Sequence, residues 1–142
     1  MYKSIIMNKI LLSATIFVAF LINEEVKAEL SAPLQEHIKQ KTLDFSPTEK
    51  AMLKKWSDGK LISEFFCQDY ALKDLRKTYK GADRVFMSLS DDAPPTLITE
   101  TRIKGTGSVR YKDGWVDFFY ECEINENSGK VSDFTFSEST NQ

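Results

Sequence analysis

Two cysteines, one histidine and a run of carboxylates are the residues of this chain that could do chemistry. His37 is its only histidine, so a Ser-His-Asp or Cys-His relay would have to use it. It falls early in the chain beside Glu36 and Lys39 and reads as a solvated surface residue. A zinc site takes three or four His, Cys or carboxylate ligands, and one histidine with two paired cysteines does not supply a typical set. Asp117, Glu121 and Glu123 lie on one side of an extended run, with neighbours about 7 Å apart. That separation would serve an acid and base pair acting on a glycosidic bond. Acidic residues on the solvent side of a plain amphipathic strand would look the same, and this bland reading carries more weight. Asp91-Asp92 are too few ligands to argue for calcium. Gly105-Thr106-Gly107 reads as a turn between strands and not as a phosphate loop. No metal and no cofactor are expected.

The first residues set how Cys67 and Cys122 are read. Lys3 and Lys9 precede an uncharged apolar run, 10–22, and Val26-Lys27-Ala28 follows with small residues at the −3 and −1 positions. This is the pattern of a secretory signal peptide. The run is shorter than the roughly 20 residues a spanning helix needs, and Ser13 and Thr15 interrupt it. The rival reading is a retained anchor with Glu24, Glu25 and Lys27 at the membrane surface. Met7 offers a second start with the same apolar core. Cleavage after Ala28 makes 1–28 the signal and 29–142 a single domain without a transmembrane segment. Such a leader carries the protein out of the cytoplasm. In an oxidising compartment a lone pair of cysteines is most simply a disulfide.

The chain holds 19 basic and 21 acidic side chains, for a net charge of −2. The leader removes three lysines and two glutamates, which leaves the remainder at −3. Such a charge gives no electrostatic reason to expect nucleic acid or an anionic membrane as partner. The hydrophobic content, 42%, excludes global disorder.

The elements that must position these residues divide the chain in two. Ser31 and Pro33 open a first helix with Leu34 and Ile38 on one face. Ser46-Pro47-Thr48-Glu49 is a capping box; Met52, Leu53 and Trp56 then form a short stripe expected to be buried, with Gly59 as the stop. A third helix, 61–79, carries Ile62, Phe65, Phe66, Leu72, Leu75 and Tyr79 at helical spacing, and Gly81 ends it. From 84 onward the period is two. Strands are expected at 84–89, at 96–103 as a Thr-rich edge, at 109–111, at 115–124 and at 131–136. Pro94-Pro95 marks a loop, and Lys112-Asp113-Gly114 a hairpin turn. Helices followed by strands argue for an α+β fold, with about three helices packed on a four- to five-stranded antiparallel meander.

In the strand 115–124, Val116, Phe118, Tyr120, Cys122 and Ile124 share the core face. Trp115, Asp117, Phe119, Glu121 and Glu123 share the other. A Cys67–Cys122 disulfide would join helix to sheet across a loop of roughly 55 residues, worth about 4 kcal/mol in the chain-entropy model. Ten Phe, five Tyr and two Trp mostly fall on core faces, but Trp115 and Phe119 do not. If no helix covers that side they form an exposed apolar patch with Arg110 and Asp117 as polar neighbours, the mark of a partner site. If both sides are covered they are core.

Phe66-Cys67-Gln68-Asp69-Tyr70-Ala71-Leu72, Ala82-Asp83-Arg84-Val85, Val109-Arg110-Tyr111-Lys112-Asp113-Gly114-Trp115, Tyr120-Glu121-Cys122 and Val131-Ser132-Asp133-Phe134 together resemble the small exported alphaproteobacterial proteins grouped as domain-of-unknown-function family nine-thirty. The resemblance spans 43–137. It implies a periplasmic location and a disulfide, and it supplies no activity because the family has none assigned. The function expected is non-enzymatic binding of a cell-envelope protein, or of a small apolar ligand held between sheet and helices. The competing expectation is a hydrolase of cell-wall sugar using Glu121 with Glu123 or Asp117. A purely structural envelope protein would show neither patch nor groove.

Overall fold

The computed structural model describes residues 28–140, so the leader reading at 1–28 lies almost wholly outside the described residues. Helices α1 (Ala32–Lys41) and α2 (Pro47–Leu53) come first, then α3 (Asp58–Ile62), a π turn (Ser63–Cys67) and α4 (Gln68–Leu75). Five strands follow: β1 (Arg84–Phe86), β2 (Thr96–Thr99), β3 (Arg102–Tyr111), β4 (Gly114–Asn125) and β5 (Lys130–Glu138). All pairings are antiparallel, in the order β1-β3-β4-β5, with β2 beside the other end of β3. The α+β class, the helices-then-sheet order and the disulfide are those expected.

The local signals at the helix starts are realised as read. Ser31 caps α1 by accepting from Leu34 N, and Leu34 is fully buried. Ser46 and Glu49 form the reciprocal capping box of α2. The burial of α2 is otherwise: it has no buried residue, and Met52 is exposed. Its apolar side chains stop at the rim, where Trp56 and Phe45 lean on half-buried Phe65.

The third helix begins three residues earlier than its apolar spacing indicates. Gly59 sits inside α3 instead of ending α2, because the Pro95 carbonyl occupies the space where a Cβ would stand. From α3 through the π turn to α4 the backbone stays right-handed helical. The extra residue of the π turn shifts the helical phase, and within it Ser63, Phe66 and Cys67 are all buried. The regular helix ends at Leu75, and turns carry the chain on to Gly81.

Three strand assignments are corrected. The strand expected at 96–103 is two: β2 ends at Thr99, the chain turns at Glu100-Thr101, and Ile103 of β3 pairs back with Leu97. The extended segment expected at 84–89 pairs only over three residues. Gly105 and Gly107 lie inside β3, not in a turn, opposite Tyr120 and Phe118. A Cβ at Gly105 would meet the Tyr120 ring at 2.9 Å, and one at Gly107 the Phe118 ring at 2.6 Å. The missing side chains give two aromatic rings of β4 room to lie across β3, which explains glycine within a strand.

The core lies between the helices and one face of the sheet. Phe118, Cys122 and Ile124 of β4 meet Leu34, Ile62, Ala71 and Leu75 there. Tyr120 completes that face, its hydroxyl donating to the Met87 carbonyl at 2.7 Å. Cys67 and Cys122 are fully buried and bonded, with Cα atoms 6.5 Å apart, and tie the π turn to β4. Among the described residues no helix is long and apolar enough to cross a membrane.

Candidate functional site

The helices cover one face of the sheet, and the opposite face is where the candidate residues stand. Strand alternation sends Trp115, Asp117, Phe119, Glu121 and Glu123 of β4 outward together. Trp115 is 46% exposed and Phe119 53%, so these two aromatics are surface and not core.

Register decides which of their neighbours they meet. Arg110 on β3 is directly opposite Trp115, and Ser108 is opposite both Asp117 and Phe86 of β1. Phe86 reaches past the small Ser108 and stacks on Trp115, with ring centroids 5.2 Å apart and planes 15° from parallel. The Arg110 guanidinium stands 5.9 Å from the Trp115 ring centre. It is held there by a two-pronged pair with Asp83, at 2.8 and 2.6 Å. Those hydrogen bonds hold the Asp83 carboxyl below its usual range and raise the guanidinium's own pKa. Both charges therefore persist across the neutral range.

Phe86 belongs to this patch and was not among its expected members. Its signal was present, since it alternates with core residues Val85 and Met87 and so had to face outward. Asp117 is half-buried, and its backbone carbonyl accepts from Ser139 N. It lies between Trp115 and Phe119 along β4, as expected.

The acidic residues of the same face are drawn elsewhere. Arg102 on β3 bonds Glu121 through two nitrogens at 2.7 and 3.0 Å, approaches Asp133 of β5 at 3.3 Å and lies 3.6 Å from Glu123. Glu123 also accepts from the Thr101 hydroxyl at 2.5 Å. One guanidinium thus bridges three carboxylates across three strands. Among the described residues no group of His, Cys, Asp and Glu is arranged to hold a metal.

Beyond Phe119 the face hollows into an open groove of about 670 Å³, walled on one side by Ala93 and Pro94. His37, expected as a solvated surface side chain, is half-buried instead. Its Nε2 lies 3.1 Å from the Glu126 carbonyl and 3.3 Å from that of Asn127, and its ring stands edge-on to Phe66. It fastens α1 to the β4–β5 turn, far in sequence and invisible to local pattern.

No family model, curated protein or solved structure matches this chain.

Proposed function

We propose that this protein is an exported, non-enzymatic binding module of the cell envelope, and that it engages a partner protein through the outer sheet face at Phe86, Trp115 and Arg110. The observation that carries this reading is the stacked Phe86–Trp115 pair, left half in solvent on a sheet face that no helix among the described residues covers. Large aromatics flanked by an arginine are the composition of binding hot spots. They are held in place before any partner arrives, because the stack and the Asp83 pair fix both Trp115 and Arg110. Little side-chain freedom remains to be lost on association.

A buried disulfide suits an oxidising compartment and supports the periplasmic assignment. The hydrolase reading is the weaker one. A glycosidase needs one carboxyl free to donate a proton and another free to attack or activate water, whereas Glu121 and Glu123 both meet Arg102. The groove beyond Phe119 is open and not an enclosed apolar cavity, so the small apolar ligand is also the less supported occupant.

The test is photo-crosslinking in the envelope from a reactive residue placed at position 115, beside the same residue at Lys73 on the opposite layer. A discrete adduct from position 115 that is absent from position 73 supports the reading. Equal yields from the two positions contradict it.

A further inference from the structure

We propose that the groove beside Phe119 is a second, separate binding site, and that its ligand is an oligosaccharide. Two rows of side chains cross the sheet here at right angles to the strands. Register sets Thr96, Lys104, Glu121 and Thr135 in one row and Thr106, Phe119 and Ser137 in the next. All seven line the groove. The first row spans β2 to β5, about 15 Å at the usual strand spacing, and the second spans β3 to β5, about 10 Å.

The chemistry of the lining selects the ligand class. Phe119 is 53% exposed, and among the described residues its ring pairs with no other aromatic. Trp115, in contrast, already has Phe86 against it. A free ring face is a platform for the apolar C–H face of a sugar ring. Four hydroxyls line the same groove, on Thr96, Thr106, Thr135 and Ser137, and none makes a side-chain hydrogen bond among the described residues. Each can both donate and accept, as a sugar's own hydroxyls do. An apolar ligand would leave these groups unpaired, at a cost. An extended peptide adds along a strand edge, whereas this groove runs across the strands. Nucleic acid would need many cations, and the groove offers one lysine. Glu121 is already bonded to Arg102, while Lys104 makes no ion pair among the described residues. Lys104 is thus placed to meet a carboxylate carried on the glycan.

The proposal stands apart from the protein-docking patch, and the two fail separately. The probes are chitohexaose, which is neutral, and a galacturonic acid hexamer, which is acidic, titrated calorimetrically after a glycan array. Wild type is expected to bind at least one. Phe119→Ala weakens that binding at least tenfold, Phe119→Tyr retains it, and Trp115→Ala leaves it unchanged. Lys104→Ala weakens the acidic hexamer more than the neutral one if both bind. Phe119 is outside the core, so a matching thermal melt confirms that each variant is folded. No glycan bound by folded wild type, or equal affinity in Phe119→Ala, overturns the proposal.

Discussion

Single residues in this protein act mainly by the space they leave or the charge they hold. Gly59 has the Pro95 carbonyl where a Cβ would be, and Gly107 has the Phe86 carbonyl 2.5 Å from that point. Backbone cannot step aside as a flexible side chain can. Gly59→Ala and Gly107→Ala are each expected to cost about 1–3 kcal/mol, measured by urea unfolding, and a neutral result at either would refute the close packing. Glu64 on the π turn acts through charge. Burial pushes its carboxyl above the ordinary 4.5, with Lys60 opposing. The folded state therefore holds that proton more tightly than the unfolded chain. The stabilisation this gives is full below pH 4.5 and fades as pH rises through the folded value. Glu64→Gln should raise the melting temperature at pH 7 and change it little below pH 4. A gain that is the same at both pH values would show that burial of the charge is not the cause.

At the scale of elements, the sequence was legible wherever a signal is local. Ser46 and Glu49 announce their own capping box, and the alternation along β4 separates Cys122 from Trp115 without further help. What could not be read depends on distant neighbours. Gly105 and Gly107 look like turn residues until Tyr120 and Phe118 are known to lie opposite them. Gly59 looks like a helix stop until Pro95 is seen against it. Met52 has the spacing of a buried stripe, but α2 packs too near the rim to bury it. The site divides in the same way. Period alone was enough to set Trp115, Phe119 and Asp117 on the outer face with Arg110 near them, whereas the Phe86 stack and the Arg102 network needed strand register. The stack is expected to contribute about 1 kcal/mol beyond its buried area. A double-mutant cycle of Phe86→Ala and Trp115→Ala measures this, and strict additivity would deny the contact.

For the whole molecule the disulfide is the largest single constraint. It closes 55 residues and spans the two layers. Removing it as Cys67→Ala with Cys122→Ala should cost about 4 kcal/mol, a substantial share of the stability of a domain this size. Alkylation of the native protein should find two thiols only after reduction. Reactive thiols without reduction would contradict the bond. One face of the sheet carries this covalently fastened core; on the other, among the described residues, lie the aromatic stack and the groove proposed above as binding sites.

The most direct measurement of that division is affinity capture of a partner from envelope extract by four folded proteins: wild type, Phe86→Ala, Trp115→Ala and Lys73→Ala. The account predicts one protein retained by wild type and by Lys73→Ala, and lost from both aromatic variants. Retention by all four, with matching melting temperatures, would contradict it and leave the Phe86–Trp115 stack a structural feature of the sheet.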